Sequence, residues 1–472
     1  MNEKGGKALM YTHSVTIEKE KCIGCTDCIK RCPTEAIRVR GSKAEIIEER
    51  CIDCGNCIRI CRNGAKKAVM DEWELLDKYT YRVALPAPSL YAQFPAAKDI
   101  NEILEALYRI GFTDCFEVAF AAEMITQRTY DYLEKATHLP VISSSCPAIV
   151  RLIQRRFPSL LPHLLPLMSP MELAARYVKK QYAERGIEEE QVGVFFISPC
   201  PAKATEIHRP KGFCRSYVDG VLSMQALYKK IKPNLKHFEG KKLHRKSSYI
   251  GLMWAMRTGS LDQHRIKSHV SVDGMENVIE ILEKVEDGTL TNVSYIEALG
   301  CTGGCLGGVL TVENAFVSCN TLKKWIDEES TEQIVKHSDV WKALKEEACY
   351  FEKSITPRPV FTLDSDMEKA IAKMEGIEEL YSRLPQIDCG ACGAPTCRCF
   401  AEDVIKQKAK IEECVFMLRE KIKDLSNQMH ALTQINVPTE KGKRKRRRSN
   451  DSRRTQSSFK FKISSRRKWL IT

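Results

Sequence analysis

Two short runs of cysteine constrain the fold of this chain more than any other feature. Residues 22–33 read CIGCTDCIKRCP and residues 51–61 read CIDCGNCIRIC, so the spacing C-x2-C-x2-C-x3-C occurs twice, 29 residues apart. Thiolates are soft ligands that bind zinc or iron-sulfur clusters. A zinc site uses four ligands and does not need a third cysteine packed two residues after the second. The spacing therefore favours iron-sulfur clusters over zinc.

The two runs resemble those of bacterial two-cluster ferredoxins, in which each run gives its fourth cysteine to the other cluster. The resemblance implies an α+β ferredoxin-like domain over residues 1–72 that holds two [4Fe-4S] clusters. It assigns Cys22, Cys25, Cys28 and Cys61 to the first cluster, and Cys51, Cys54, Cys57 and Cys32 to the second. Arg62 stands where the second run would carry proline, which changes that turn without removing a ligand.

The remaining cysteines bear on the compartment and on the use of the thiols. The chain has 21 cysteines among 472 residues, and sixteen of them fall into four groups of four with ligand-like spacing. The N-terminus MNEKGGKALM lacks the apolar core of a signal peptide, and no apolar run approaches the roughly 18 residues of a membrane span. We therefore expect a cytoplasmic protein without a membrane span, whose cysteines bind metal and do not form disulfides.

From about residue 80, short apolar runs alternate with segments of helical periodicity, which predicts parallel sheets covered by helices. The predicted strands are YRVALPAP, DCFEVAF, LPVISSS, GVFFISP and VSYIEAL, and the predicted helices are ILEALYRI, EMITQRTYDYLEKA, ELAARYVKKQYAE and NVIEILEKVE. Three of these strands run directly into Cys146, Cys200 and Cys301. Because ligands gather beyond the carboxyl ends of such strands, we expect these cysteines to meet Cys305 in one cleft.

The stretch GCTGGCLGG at residues 300–308 carries Cys301 and Cys305 on a glycine-rich turn. Glycine accepts positive φ and lets the backbone approach a bulky ligand without a clash from a Cβ atom. Two thiolates on such a turn suit a large inorganic cluster. The alternative interpretation is a structural turn with two buried thiols, because free cysteine is commonly buried.

SSSCPAIV, SPCPAK and EALGCTGGCLGG resemble the three signature loops of the [FeFe]-hydrogenases, and ALPAPS at 84–89 and GFTDCFEVAFAAEM at 111–124 extend the resemblance over residues 80–350. The resemblance implies a two-lobed α/β domain with parallel sheets flanked by helices. It also implies an H-cluster, which is a [4Fe-4S] cluster bridged by one thiolate to a diiron unit with CO and CN ligands. The cubane would be held by Cys146, Cys200, Cys301 and Cys305, with Cys305 as the metal ligand that bridges to the diiron unit.

Lys203, three residues after Cys200, matches the lysine that donates to a cyanide ligand in this family. An ammonium group with three donors can neutralise a buried anionic ligand. The alternative interpretation is a solvated surface lysine. The resemblance therefore makes Lys203 a candidate catalytic residue.

Three positions depart from the catalytic members of the family. The catalytic members have two consecutive cysteines in the first loop, and the first of them passes protons to the diiron site. This chain has Ser145 at that position. A free thiol has a pKa near 8.5, and a serine hydroxyl is a far weaker acid and a poorer relay. Ser198 and Leu299 replace methionines, and such substitutions occur in the sensory branch of the family.

These departures predict an H2 or redox sensor with slow turnover, which passes its signal through the other clusters to a redox protein or signalling partner. One alternative is a working ferredoxin-dependent hydrogenase that converts H2 to protons and electrons through another proton relay. A second alternative is an electron-transfer or assembly protein that binds the cubane without the diiron unit.

A further cysteine group follows residue 376. Its members Cys389, Cys392, Cys397 and Cys414 have the spacing C-x2-C-x4-C-x16-C. This spacing resembles the small [4Fe-4S] domain of Rnf-type electron-transfer subunits and corrinoid iron-sulfur proteins, with zinc as the alternative. The resemblance implies a helical iron-sulfur domain over residues 370–433 and a fourth cubane.

The C-terminal part of the chain contains a heptad pattern and a basic tail. Apolar residues recur at alternating steps of four and three at Ile411, Val415, Leu418, Ile422, Leu425, Met429 and Leu432. The pattern predicts a coiled-coil homodimer, with a helix packed on its own domain as the alternative. Residues 438–472 contribute +12 of the net charge of +13 and are expected to be disordered. We interpret this tail as an extension and do not predict a nucleic-acid partner, although a basic arm that binds nucleic acid is the alternative.

Overall fold

The computed structural model describes residues 13–235, 247–259, 266, 268–327 and 339–434. By its contacts the chain divides into two compact units, Met1–Leu418 and Arg419–Thr472. The predicted basic tail at 438–472 and the first twelve residues lie outside the described residues. No helix among the described residues is long and apolar enough to cross a membrane.

The N-terminal segment forms two small antiparallel sheets and two short helices. Its elements are β1 (Val15–Ile17), α1 (Asp27–Lys30), β2 (Ile37–Arg40), β3 (Lys43–Ile46), α2 (Asn56–Ile60) and β4 (Lys66–Ala68). β1 pairs with β4, and β2 pairs with β3. Ile29, Ile37 and Val39 form its small core together with the buried residues Cys28 and Cys57. The cysteine loops therefore wrap a core that is partly built from the thiols themselves.

Two parallel sheets with covering helices follow, as the apolar runs predict. The elements are β5 (Tyr81–Pro86), α3 (Pro88–Tyr91), α4 (Ile100–Arg109), β6 (Asp114–Cys115), α5 (Val118–Leu133), β7 (Val141–Ile142), α6 (Pro147–Arg156), α7 (Pro170–Glu184), β8 (Val192–Ser198), α8 (Pro201–His208), β9 (Gly220–Ser223), α9 (Met224–Ile231), α10 (Tyr249–Met253), β10 (His269–Asp273), α11 (Met275–Glu286), β11 (Tyr295–Leu299), α12 (Ala315–Asp327) and α13 (Asp339–Glu346).

Each sheet has its own apolar core. The first sheet has the strand order β6-β5-β8-β9, and the second has the order β10-β11-β7. β8 is buried along its whole length, which is why it reads as a continuous apolar run. The first sheet belongs to a large core that includes Phe195 and Leu85, and the second to a smaller core that includes Ile296 and Ile142. This arrangement confirms the prediction of parallel sheets flanked by helices.

Two predicted strands are shorter than expected. In DCFEVAF only Asp114–Cys115 is a strand, and α5 begins at Val118. The first nine residues of α5 are all buried, so this run lacks the periodicity that separates a helix from a strand. In LPVISSS only Val141–Ile142 is a strand. β9 and β10 were not predicted, because they are short edge strands whose sequences GVLS and HVSVD include polar residues.

The C-terminal part is helical, with α14 (Met367–Arg383), α15 (Cys397–Ile405) and α16 (Val415–Thr433). The predicted heptad begins one step too early. Ile411 lies in a 3-10 turn, Ile411–Glu413, and packs against the core of the cysteine domain, so the heptad helix starts at Val415.

Candidate functional site

The segments that follow three parallel strands carry the central cysteines. Cys146 follows β7, Cys200 follows β8 and Cys301 follows β11. Cys146 and Cys200 also directly precede α6 and α8, and each of these helices begins with proline. Proline at the first helical position is pre-organised for the helix. Both thiols are thus held between a strand end and a helix start.

The structure brings these thiols together with Cys305. Burial, followed by repulsion from Cys146, raises the pKa of Cys200 to about 11. Part of Cys305 is exposed to solvent, but the protein packed around its thiol, with Cys200 and Cys146 beyond it, raises its pKa to about 12. Burial and the three other thiols raise the pKa of Cys301 well above its usual value. A bound metal deprotonates coordinating thiols and compensates their charge, so this donor set fits a metal cluster.

The glycine-rich turn at 300–308 allows a close approach of backbone segments around this site. A Cβ atom on Gly304, which has a φ of +68°, would lie 2.8 Å from the carbonyl oxygen of Ala255. A Cβ atom on Gly308 would lie 2.4 Å from the carbonyl oxygen of Pro199. The amide of Leu310 donates to that same oxygen of Pro199 at 2.9 Å. The glycines therefore let the Cys301–Cys305 turn reach the loop that carries Cys200.

Lys203 lies in α8 next to the central thiols and is paired with a carboxylate. Its Nζ atom donates to Oε2 of Glu206 at 2.7 Å, and the side chain of Lys203 is 13% exposed. Burial lowers the pKa of Lys203, but Glu206, Cys200 and Cys146 together raise it by more. Lys203 therefore stays charged beside the four-thiol site, and the interpretation as a solvated surface lysine does not describe its environment.

The three departures from the catalytic pattern also lie around this site. Ser145 is half-buried and directly precedes Cys146. Ser198 is fully buried, and its hydroxyl donates to the carbonyl oxygen of Cys200 at 2.8 Å and accepts from the amide of Cys200 at 3.2 Å. Leu299 is buried at the end of β11. The hydroxyl of Ser198 is therefore used in shaping the loop of Cys200.

Among the N-terminal cysteines, the last cysteine of the first run lies near the thiols of the second run. Burial raises the pKa of Cys54 well above its usual value, and the thiols of Cys32, Cys57 and Cys51 raise it further. Burial likewise raises the pKa of Cys28, with further effects from Cys25 and Cys22. Cys61 mirrors Cys32, because each sulfur accepts a backbone N–H four residues later at 3.2 Å. Cys32 of the first run thus lies with the second run.

Asp53 joins the second cysteine run to the two helices that start at the central site. Its carboxylate accepts from Nη1 of Arg151 in α6 at 2.7 Å and from Oγ1 of Thr205 in α8 at 2.9 Å. It also accepts from the amide of Ser14 at 2.8 Å. Asp53 is 1% exposed and has a φ of 56°. One buried carboxylate therefore connects the loop between Cys51 and Cys54 to the helices that begin after Cys146 and Cys200.

The C-terminal cysteines line one pocket. Cys389, Cys392, Cys397 and Cys414 line it together with Leu384 and Phe400. Burial raises the pKa of Cys392, and the thiols of Cys414 and Cys389 raise it further. The amide of Cys397 donates to Oδ1 of Asp388 at 2.6 Å. The thiols are brought together as their spacing predicts.

Two arginines of β2 dock this C-terminal domain on the β2–β3 hairpin. Arg38 donates to Oδ2 of Asp403 at 2.6 Å and to the sulfur of Cys399 at 2.5 Å. Arg40 donates to the carbonyl oxygen of Cys392 at 2.6 Å. The backbone amide of Val39 donates to the carbonyl oxygen of Gly393 at 2.9 Å. The C-terminal cysteine pocket therefore lies against the N-terminal domain.

Sequence reasoning missed Asp53, Arg38 and Asp403. An acidic residue inside a cysteine run is a weak signal for Asp53, because acidic side chains are normally solvated. Arg38 and Asp403 are separated by 365 positions, and no local spacing connects them.

Three family models match the chain. Residues 80–251 and 245–309 match the iron-only hydrogenase large subunit, C-terminal domain. Residues 14–62 match a 4Fe-4S dicluster domain, and residues 384–416 match an Fe-S cluster family.

The similar proteins include hydrogenases and an assembly factor. The chain is 32% identical over 243 residues to the periplasmic [Fe] hydrogenase large subunit of Nitratidesulfovibrio vulgaris, covering 47% of this chain and 58% of that protein. It is 35% identical over 72 residues to a cytosolic Fe-S cluster assembly factor NAR1 homolog of Schizosaccharomyces japonicus, covering 15% of this chain and 14% of that protein. The chain thus spans less than two thirds of each relative's length. A solved [FeFe]-hydrogenase HydA1 variant from Chlamydomonas reinhardtii aligns with 16% identity and a TM-score of 0.47, covering 60% of this chain and 95% of that one.

Proposed function

We propose that this chain, an iron-sulfur protein related to the iron-only hydrogenase large subunit, senses H2 or redox state and passes electrons to a partner protein. The convergence of Cys146, Cys200, Cys301 and Cys305, with serine at position 145, supports this proposal most directly. The four thiols match the ligands of the H-cluster, and the proton-relay thiol of the catalytic members is replaced.

We assign the residues around the central site as follows. Cys146, Cys200 and Cys301 would hold a cubane together with Cys305, which would also be the thiolate ligand of a diiron subsite. When bound, this group supplies the chemistry of H2 binding and one-electron redox change. Lys203 has three N–H donors, one of which Glu206 accepts, and the others are available for an anionic ligand of the subsite. Its charge, retained in spite of burial, favours that anion.

Ser145 makes the site a poor catalyst in this proposal. A general acid or base beside the reacting atoms commonly contributes a factor of about 10² to 10⁴ in rate. The hydroxyl of Ser145 does not titrate in the physiological range, and the hydroxyl of Ser198 is bound to the backbone of Cys200. A site of this kind binds H2 and changes its redox state while it turns over slowly.

The contacts between domains support transfer of the signal out of the central site. Ile52 belongs to the same apolar core as α6, and Cys54, Cys146 and Cys200 pack against that core. Asp53 fixes the second cysteine run to α6 and α8. We propose that these contacts keep the two sites at a constant separation, which electron transfer to a redox or signalling partner requires.

Infrared spectroscopy of the anaerobically matured protein tests the proposed diiron subsite. We expect bands of CO and CN ligands, because protein groups do not absorb in that region. Protein that contains the iron and sulfide of its four cubanes but lacks these bands would contradict the proposal. That result would favour the cubane-only electron-transfer or assembly role, to which the similarity with the assembly factor also points.

We also propose that the protein works in the cytoplasm. Sixteen of its 21 cysteines belong to ligand groups, and thiols stay reduced in that compartment.

Four cubanes per chain follow from the four cysteine groups, and removal of one ligand tests this number. We expect Cys392→Ala to lose one cubane and keep the other three, because each site is a separate set of ligands. Iron and sulfide analysis measures the loss. Cys214→Ala is the matched control, since Cys214 is an exposed cysteine outside the four groups. Equal iron content in the two variants would contradict the proposal that the C-terminal cysteines hold a cluster.

We propose that α16 forms the seam of a homodimer. Its heptad residues are exposed, with Ile422 at 58%, Leu425 at 51% and Met429 at 68%. An exposed apolar stripe on one helix is unfavourable in water, and a second copy of the same helix would cover it.

The double variant Ile422→Asp, Leu425→Asp is expected to be monomeric. Each buried seam residue contributes about 1.5 to 3 kcal/mol, and a charge at the seam removes that contribution. Sedimentation velocity at micromolar concentration measures the change. Lys421→Asp, Lys423→Asp is a control on the same helix that leaves the apolar stripe intact. An unmodified protein that sediments as a monomer would show that the stripe has another use.

A further inference from the structure

Lys66 is a buried ammonium group in the N-terminal domain. It lies in β4 opposite Ile17 of β1 and is 3% exposed. Its Nζ atom has no hydrogen-bond partner among the described residues. The next residue, Lys67, points to the other face, where it is about half exposed and pairs with Glu18. Only one of two adjacent lysines is therefore placed inside the core.

The charge of Lys66 acts on thiols of both N-terminal cysteine groups. Burial raises the pKa of Cys28, and Lys66 gives the largest opposing effect. Burial also raises the pKa of Cys57, to about 12, and Lys66 again gives the largest opposing effect. Burial raises the pKa of Cys22, but backbone hydrogen bonds from Ala44 and Gly24, followed by the charge of Lys66, lower it by more. The buried ammonium is therefore close enough to thiols of both groups to affect their pKa values.

The first cysteine run has a different residue at the position that corresponds to Lys66. Lys66 stands five residues after Cys61, and Ile37 stands five residues after Cys32. Both side chains are 3% exposed and both begin a strand. One repeat therefore places an aliphatic side chain in the core where the other places a lysine.

Burial of an ammonium group without a partner is strongly unfavourable, so an anion close to it is needed to stabilise it. Within this proposed iron-sulfur function, each [4Fe-4S] cluster with four thiolates is such an anion and gains a further negative charge on reduction. The reduction potential of a cluster depends on its electrostatic surroundings. We propose that Lys66 is a redox-tuning residue that stabilises the reduced ferredoxin clusters and raises their midpoint potentials.

An anaerobic redox titration followed by electron paramagnetic resonance tests this proposal on the full chain. We expect Lys66→Met, which removes the charge and keeps the length, to lower the midpoint potentials of the ferredoxin clusters. A tenfold change in the reduction equilibrium corresponds to about 59 mV for a one-electron couple, and we expect at least this shift. Lys66→Ile, which copies Ile37, should give the same shift, and Lys66→Arg should restore the potential.

Two controls separate the effect of this charge from general changes. Lys67→Met removes the exposed neighbouring charge and should leave the potentials unchanged. The C-terminal cluster is an internal reference, and its potential should stay constant in every variant. Unchanged ferredoxin potentials in Lys66→Met with full iron content would overturn the proposal. If both apolar variants lost their clusters, retention of clusters and potential in Lys66→Arg would support it, and loss there too would overturn it. The redox titration does not use H2, so its result tests the role of Lys66 independently of the proposed sensing role.

Discussion

The Ser145→Cys variant is expected to evolve H2 about 10² to 10⁴ times faster than the unmodified protein, because proton transfer by a positioned acid commonly contributes that factor. Ser145 is half-buried beside Cys146, so a thiol at this position would lie at the central site. The gain should stop short of a full catalytic rate, since Ser198 and Leu299 also depart from the catalytic pattern. The rate is measured under argon with reduced methyl viologen.

Ser144→Cys is the matched control for this change. Ser144 is buried, and its hydroxyl donates to the carbonyl oxygen of Leu167 at 3.0 Å, so a thiol there should not serve the central site. Equal rates in the two variants would argue against a proton relay at position 145. An unmodified protein that already turns over at hundreds per second, within the usual enzyme range of about 1 to 10³ per second, would return the chain to the catalytic hydrogenases.

A second large effect is expected from Asp53→Asn. The pair between Asp53 and Arg151 is deeply buried, with side chains 1% and 4% exposed. Removal of one partner of a buried pair leaves an uncompensated charge and typically costs about 3 to 5 kcal/mol. The asparagine keeps the shape of the side chain, so the loss reports the charge and its hydrogen bonds. Anaerobic guanidinium unfolding of protein with verified iron content measures the change.

Glu283→Gln provides the comparison for that variant. Glu283 also pairs with an arginine of α6, Arg156, at the same distance of 2.7 Å, but the two side chains are 47% and 36% exposed. Exposed pairs contribute about 0 to 1 kcal/mol, because water screens them. A similar small loss in both variants would mean that Asp53 does not stabilise the contact between the cysteine run and the helices.

The fold could be predicted where the sequence has a clear period. The sequence predicts β8 and α11 correctly, because a buried parallel strand is continuously apolar and a surface helix repeats every 3.6 residues. The start of α5 was misread as a strand, since its first turns are buried on all sides and show no period. The edge strand β10 was missed, because its alternation of apolar and polar residues is too short to stand out.

The sequence by itself determined the four cysteine groups, their order along the chain and the serine at position 145. Spacing within one loop places the thiols of a single run near one another, because local backbone geometry fixes their separation. Cys146, Cys200 and Cys301 come from three distant segments, so they meet only when the fold brings the ends of their strands together. Only the tertiary structure decided that Asp53 reaches Arg151, 98 positions away, and that Arg38 reaches Asp403, 365 positions away. It also decided that Lys66 is buried whereas Lys67 is exposed. The charge of a side chain is written in the sequence, but the partners and solvent that determine its effect come from segments that meet only when the chain folds.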